Sequence, residues 1–213
     1  MTEPASIVFV IDDDPSIRRA IKRLLGSVGL ETELFGSARD FLVTSRPNVP
    51  SCMILDVRLP GMGGIDFHHE LLAAQIHIPI IFITSHGDIP MSVRAMKMGA
   101  VEFLPKPFRD QELLDSVQVA LERDRARRLH QSEIAEIQKR VASLTPRERE
   151  VLPLVVSGLP NKRIADVIGT SETTVKVHRS QLTRKMSANS FADLVRMAEK
   201  LHPTANPGRG NPS

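Results

Sequence analysis

The chain contains a single cysteine, no tryptophan and no tyrosine among its 213 residues. One thiol excludes an internal disulfide framework, and Cys52 lies in the apolar run Cys52–Leu55, where it reads as a small buried core residue. Without tryptophan, no site has an intrinsic tryptophan reporter. No stretch approaches the roughly 18 consecutive apolar residues of a membrane-spanning helix. The opening Met1–Ser6 lacks the basic and apolar segments of a secretory signal, so the expectation is a cytoplasmic protein with no membrane contact. No cluster of cysteine and histidine stands near the pair His68 and His69. Adjacent helical residues point apart, so both histidines are expected on the solvent face of a helix.

What is present divides the chain in two. The length is comfortable for two domains, and 41% hydrophobic residues suffice to bury cores. Residues 1–121 hold 11 Lys and Arg against 15 Asp and Glu, net −4, whereas residues 122–213 hold 17 against 10, net +7. An acidic half followed by a basic half fits a metal-binding or phosphorylated module joined to a nucleic-acid binder.

The first half alternates β-rich runs with helical patterns. Strands are predicted at 6–12, 31–35, 51–56, 79–84 and 101–104. One helix begins at Asp14-Pro15 and stops near Gly29, and others read at 37–45, 64–74, 88–98 and 109–122. This order specifies an α/β fold, a flavodoxin-like, doubly wound sheet of five parallel strands. Asp12 and Asp13 end the first run, Asp56 the third, Thr84 the fourth, and Lys106 follows the fifth in Leu104-Pro105-Lys106-Pro107-Phe108. In an open parallel sheet those C-terminal ends converge on one edge, where ligands bind. Three carboxylates, a hydroxyl and an ammonium then share one pocket. Carboxylate oxygens suit Mg²⁺. A carboxylate attacks phosphorus only when its repulsion with phosphoryl oxygens is neutralised, which a metal and Lys106 do together. An aspartyl-nucleophile phosphatase of the haloacid-dehalogenase type needs a second Asp two residues after the first, and Arg58 stands there.

Over residues 5–122 this half resembles the receiver domain of two-component response regulators. The resemblance rests on Asp12, Asp13, Asp56, Thr84, Phe103 and Lys106 in order, with Asp56-Val57-Arg58-Leu59-Pro60 and Gly64. It implies that Asp56 is the phosphoacceptor and that a sensor histidine kinase donates the phosphoryl group. It also implies that the backbone carbonyl of Arg58 joins Asp12, Asp13 and Asp56 on the metal, and that Lys106-Pro107 is a cis peptide. Thr84 and Phe103 are the implied switch pair, and the phosphorylated receiver is implied to dimerise.

Residues 123–143 are charged and helix-favouring, with Ile134, Ile137 and Val141 at spacings of three and four. They read as a linker helix with a short pairing seam, or as a solvated linker without one. An all-α domain follows at 144–202, opened by the capping box Thr145-Pro146-Arg147-Glu148, with helices at 146–157, 161–168, 172–186 and 190–200. Pro153 is expected to kink or shorten the first of them. The segment from Asn161 to Arg184 reads as helix, turn, helix: Val175 and Leu182 anchor the second helix, and Ser171 caps it. Thr173, Lys176, Val177, Arg179, Ser180 and Arg184 then point away from the anchors, towards a major groove and its phosphates. The tail 203–213, with three prolines and two glycines, is expected to be disordered.

About residues 142–202 resemble the LuxR-type helix-turn-helix, through Leu144-Thr145-Pro146-Arg147-Glu148 and Asn161-Lys162 with Ile164-Ala165. That resemblance implies base-edge contacts from Lys176, Val177 and Ser180, and backbone contacts from Lys162, Thr173, His178, Arg179 and Arg184. The whole chain resembles a FixJ/NarL-type response regulator. The implied function is a transcription factor, not a separate enzyme, that binds double-stranded DNA as a phosphorylated homodimer, with RNA polymerase as a further partner. The rivals are a regulator working without phosphate and a phosphotransfer relay whose basic domain meets proteins.

Overall fold

The structure, a computed structural model, describes residues 6–85 and 89–201. Position 5, residue 88 of the helix expected at 88–98, and the tail 203–213 lie outside the described residues. The chain forms two compact units that divide between Arg128 and Leu129.

In the first unit, strands β1 (Ile7–Ile11), β2 (Glu31–Phe35), β3 (Ser51–Asp56), β4 (Ile80–Thr84) and β5 (Glu102–Pro105) form one sheet in the order β2-β1-β3-β4-β5. Every pairing is parallel. Helices α1 (Pro15–Ser27), α2 (Ala38–Val43), α3 (Gly64–Ala73), α4 (Ile89–Lys97) and α5 (Asp110–Ala142) alternate with the strands. The period of two along each buried strand divides its side chains between two cores. Phe9, Ile11, Met53, Leu55 and Phe82 meet Phe41 of α2 and Phe67 and Leu71 of α3. Val8, Val10, Ile54, Ile81 and Ile83 meet Ile21 and Leu25 of α1 and Leu113 and Val117 of α5. Cys52 lies in the second core, fully buried, and burial pushes its thiol pKa far up, so it is an inert core residue. His68 departs from expectation. It is buried on α3, its ring 5.8 Å from that of Phe82, while His69 is exposed. Burial, then the charge of His69, lowers the His68 pKa.

The helix after β5 does not stop near residue 122. It continues to Ala142, and the arginine-rich run expected as a linker from residue 123 belongs to the first unit as far as Arg128. Asp124, fully buried, accepts the Ser51 N–H at 2.9 Å and hydrogen bonds from Arg127 and Arg128. Arg128 reaches Asn48 Oδ1 at 2.6 Å, and Arg125 reaches Ser6 Oγ at 3.0 Å.

The second unit comprises the end of α5 with α6 (Pro146–Val156), α7 (Asn161–Ile168), α8 (Glu172–Met186) and α9 (Phe191–Leu201). Its core holds Val151, Val155, Ile164, Val175, Leu182 and Leu194. Ile137 is buried there and Val141 packs against it, so these residues belong to this core and are not a free pairing seam. Thr145 and Glu148 form the reciprocal capping box, and Ser171 caps α8 through the Thr174 N–H. α6 runs through Pro153 without ending there. No helix of the described residues is long and apolar enough to cross a membrane.

Candidate functional site

The strand register builds the acidic pocket. Ile11 pairs with Leu55, and Asp56 with Ile83, so Asp12, Asp56 and Thr84 arrive together at the C-terminal edge of the sheet. Asp12 and Asp56 are buried and Asp13 is exposed, with carboxylate oxygens of the three lying within 4.8 Å of one another. Lys106 Nζ donates to Asp12 Oδ2 at 2.6 Å and to Asp56 Oδ2 at 2.7 Å. The remaining oxygens are held by the backbone: Asp14 N–H donates to Asp12 Oδ1 at 2.8 Å and Arg58 N–H to Asp56 Oδ1 at 2.9 Å. Lys106-Pro107 is cis, and the Lys106 N–H donates to the Thr84 carbonyl at 2.7 Å. Thr84 is fully buried beside Asp56's neighbour Ile83.

Electrostatics follow from burial. Burial raises the Asp12 pKa, against hydrogen bonds from Lys106 and the Asp14 N–H. Burial also opposes the Lys106 ammonium, but the hydrogen bonds and charges of Asp12 and Asp56 outweigh it and hold that pKa above the ordinary lysine value. The ammonium is a permanent charge between two carboxylates. An all-oxygen donor set around a buried edge fits a hard divalent cation such as Mg²⁺.

Phe103, half-buried on β5, has its ring 6.4 Å from Phe82. Gly64 opens α3 directly against the Asp56 backbone, where a Cβ would stand 2.2 Å from the Asp56 carbonyl oxygen. Gly64→Ala therefore displaces backbone and not a pliant side chain. It is expected to lower stability by about 1–3 kcal/mol and to slow phosphoryl uptake. Thermal melting together with intact-mass time courses tests this, and unchanged values for both refute it.

In the second unit, Lys162, Thr173, Lys176, Val177, Ser180 and Arg184 are exposed, and His178 and Arg179 are half-buried. Exposed Val177 stands beside Lys176, which forms an i,i+4 pair with Glu172 at 3.8 Å. Two basic residues of α8 bond within the unit. Lys185 Nζ meets the buried Glu148 at 2.7 Å, and Arg179 Nη1 meets Asn161 Oδ1 at 2.8 Å. Asn161 and Glu148 escaped sequence reasoning as partners of these cations. The only signal was their place in the two short motifs that open α7 and α6.

A phosphoacceptor-type acidic edge on a doubly wound sheet, followed by a helix-turn-helix, defines a receiver joined to a DNA-binding output domain. Residues 8–118 match the response regulator receiver domain family, and residues 142–198 match the bacterial regulatory proteins of the luxR family. The chain belongs to the two-component response regulators with a LuxR-type DNA-binding domain, and it is a regulator of transcription. It is 56% identical over 201 residues to nodulation protein W of Bradyrhizobium diazoefficiens, covering 94% of this chain and 88% of that one. It is 43% identical to response regulator protein TodT of Pseudomonas putida, with the same coverage. Among solved structures, response regulator StyR superposes with a TM-score of 0.82 at 47% identity, covering 92% of this chain and 99% of that one.

Proposed function

We propose that Asp56 accepts a phosphoryl group from the phosphohistidine of a sensor histidine kinase, and that the aspartyl phosphate favours a homodimer which binds specific DNA. The observation that carries this reading is the Lys106 ammonium bridging Asp12 and Asp56 at 2.6 and 2.7 Å, with Asp13 alongside. An Asp56 oxygen forms a bond to phosphorus as the P–N bond breaks, and the electron pair leaves with the kinase imidazole. Lys106 and the Thr84 hydroxyl take the phosphoryl oxygens. A Mg²⁺ held by Asp12, Asp13, Asp56 and the Arg58 carbonyl supplies the remaining charge neutralisation. An apolar groove of about 820 Å³ beside Lys106, lined by Ile17, Ile21, Leu24, Pro107 and Phe108, supports a protein donor that seats there. The receiver's own chemistry is limited to this transfer and slow hydrolysis of the acyl phosphate.

Thr84 drawn towards phosphate vacates space into which Phe103 turns. With no phenolic hydroxyl, Phe103 responds through burial alone. Wild type incubated with Mg²⁺ and acetyl phosphate is expected to take up phosphate and shift from monomer to dimer in sedimentation. Phe103→Ala is expected to keep the uptake and weaken the dimer, and unchanged dimerisation refutes the switch.

On DNA, Lys176, Val177 and Ser180 meet base edges, while Lys162, Thr173, His178, Arg179 and Arg184 meet the backbone, with RNA polymerase as a further partner. A symmetric dimer asks for half-sites about 10 base pairs apart or a multiple of that. Lys176→Ala is expected to cost about 1–3 kcal/mol on the preferred site and relax its sequence. Arg184→Ala is expected to weaken all sequences alike and flatten the salt dependence. Two uniform losses in equilibrium binding on preferred and shuffled duplexes refute this division of labour.

A further inference from the structure

We infer that Asn161 is a positioning residue for DNA binding, holding the Arg179 guanidinium in the attitude in which it takes a DNA phosphate. This rests on the reading of Arg179 as a backbone contact. The cations of α8 are not equivalent. Lys185 is paired with a carboxylate that is 1% exposed, so its charge is already matched within the unit. Arg179 is fastened differently. Its Nη1 donates to Asn161 Oδ1 at 2.8 Å and to the Leu159 carbonyl at 3.5 Å, and both acceptors are neutral. The positive charge is therefore uncancelled. Among the described residues Nε and Nη2 have no hydrogen-bond partner, so the one edge of the planar fork that they share remains for an incoming oxyanion.

An aspartate at position 161 would hold the guanidinium as well but cancel the charge that DNA requires. An amide oxygen holds without cancelling. Arg179 also lines a shallow groove of about 510 Å³ with Ser180, Thr183, Arg184, Ser187 and Asn189. A second guanidinium and three hydroxyls face the same space, which suits a backbone phosphate. A free arginine gives up rotamer freedom when it binds, whereas one tethered at Nη1 has already lost part of it, so preorganisation favours the complex.

The test is a mutant cycle in the full chain, with Asn161→Ala, Arg179→Met and the double variant. The probes are a duplex enriched by the protein from a random pool and a shuffled duplex of equal length, titrated across KCl concentrations. Arg179→Met is expected to weaken both duplexes about tenfold and to lower the salt slope by about 0.9, one phosphate contact. Asn161→Ala removes no charge, yet is expected to weaken both duplexes about three- to tenfold. In the Arg179→Met background it is expected to do nothing further. In the free protein, the Arg179 Nη signals in ¹⁵N spectra, separate while the fork is held, are expected to merge in Asn161→Ala, whereas a purely structural effect on α7 would leave them separate. Equal weakening by Asn161→Ala in both backgrounds, or none in either, overturns the positioning role alone. An Arg179→Met variant with wild-type affinity and slope overturns the phosphate contact itself.

Discussion

Asp56→Asn is expected to carry no phosphoryl adduct after incubation with Mg²⁺ and acetyl phosphate, under conditions in which wild type is modified, and to remain monomeric. The substitution is nearly isosteric. The single amide oxygen can keep one of the two bonds that the carboxylate accepts, from Lys106 at 2.7 Å or from the Arg58 N–H at 2.9 Å, while the NH2 turns towards the other donor. The Lys106–Asp12 pair at 2.6 Å is untouched. Shape and packing survive, one hydrogen bond is lost, and the nucleophilicity that a neutral amide lacks is removed outright. Intact mass reads the adduct and sedimentation reads the dimer. An adduct on the variant would move the nucleophile to Asp12 or Asp13 and overturn the assignment.

Asp124→Ala is expected to destabilise the first unit by about 3 kcal/mol. Two effects contribute. The Ser51 N–H, on a residue only 2% exposed, loses its acceptor and is left buried and unmatched, which costs about 1–3 kcal/mol. Arg127 and Arg128 lose their shared carboxylate, but their side chains are 30% and 26% exposed and regain water, which moderates that part. Asp124→Asn can keep an acceptor for Ser51 and Arg128 while it turns an NH2 towards Arg127 and removes the charge, and because Arg127 is 30% exposed it is expected to cost less than the alanine change. Hydrogen exchange at the Ser51 amide resolves the two, with protection lost in the alanine variant and largely kept in the asparagine one. Equal protection in all three proteins removes Asp124 as an anchor. A receiver cut at residue 122 lacks this contact, and one ending at Arg128 retains it.

The strands and the acidic edge were legible because the first, third and fourth apolar runs end at Asp12, Asp56 and Thr84, and a parallel sheet gathers such ends by topology. The expected strands at 31–35 and 51–56 match β2 and β3, and the fifth is offset by one residue. The continuity of α5 was not legible. Arg123–Arg128 has the composition of a solvated run, and the Ser51 N–H that donates to its Asp124 lies 73 residues away in sequence, where no local pattern points to it. Ile137 and Val141 failed for a related reason. Spacings of three and four show that a helix has an apolar face but not which core that face enters. In the pair His68 and His69, composition was blind to direction: one step of a helix turned one ring onto Phe82 and the other outward. Thr173, Lys176, Val177, Ser180 and Arg184 of α8 read from their spacing as one side, and all five are exposed. Which of its cations are already engaged depends on Glu148 and Asn161, residues of other helices.

The order of the strands carries a mechanical consequence. β3, which bears Asp56, is laced to β1 on one flank and β4 on the other, whereas β5 has a neighbour on one flank only. Asp56 is thus anchored at the doubly flanked centre of the scaffold, while Thr84, Phe103 and Lys106 lie progressively towards its margin. Load applied at the middle is relieved where restraint is weakest. If Asp56 is the reacting group, its geometry is expected to persist while the rim yields.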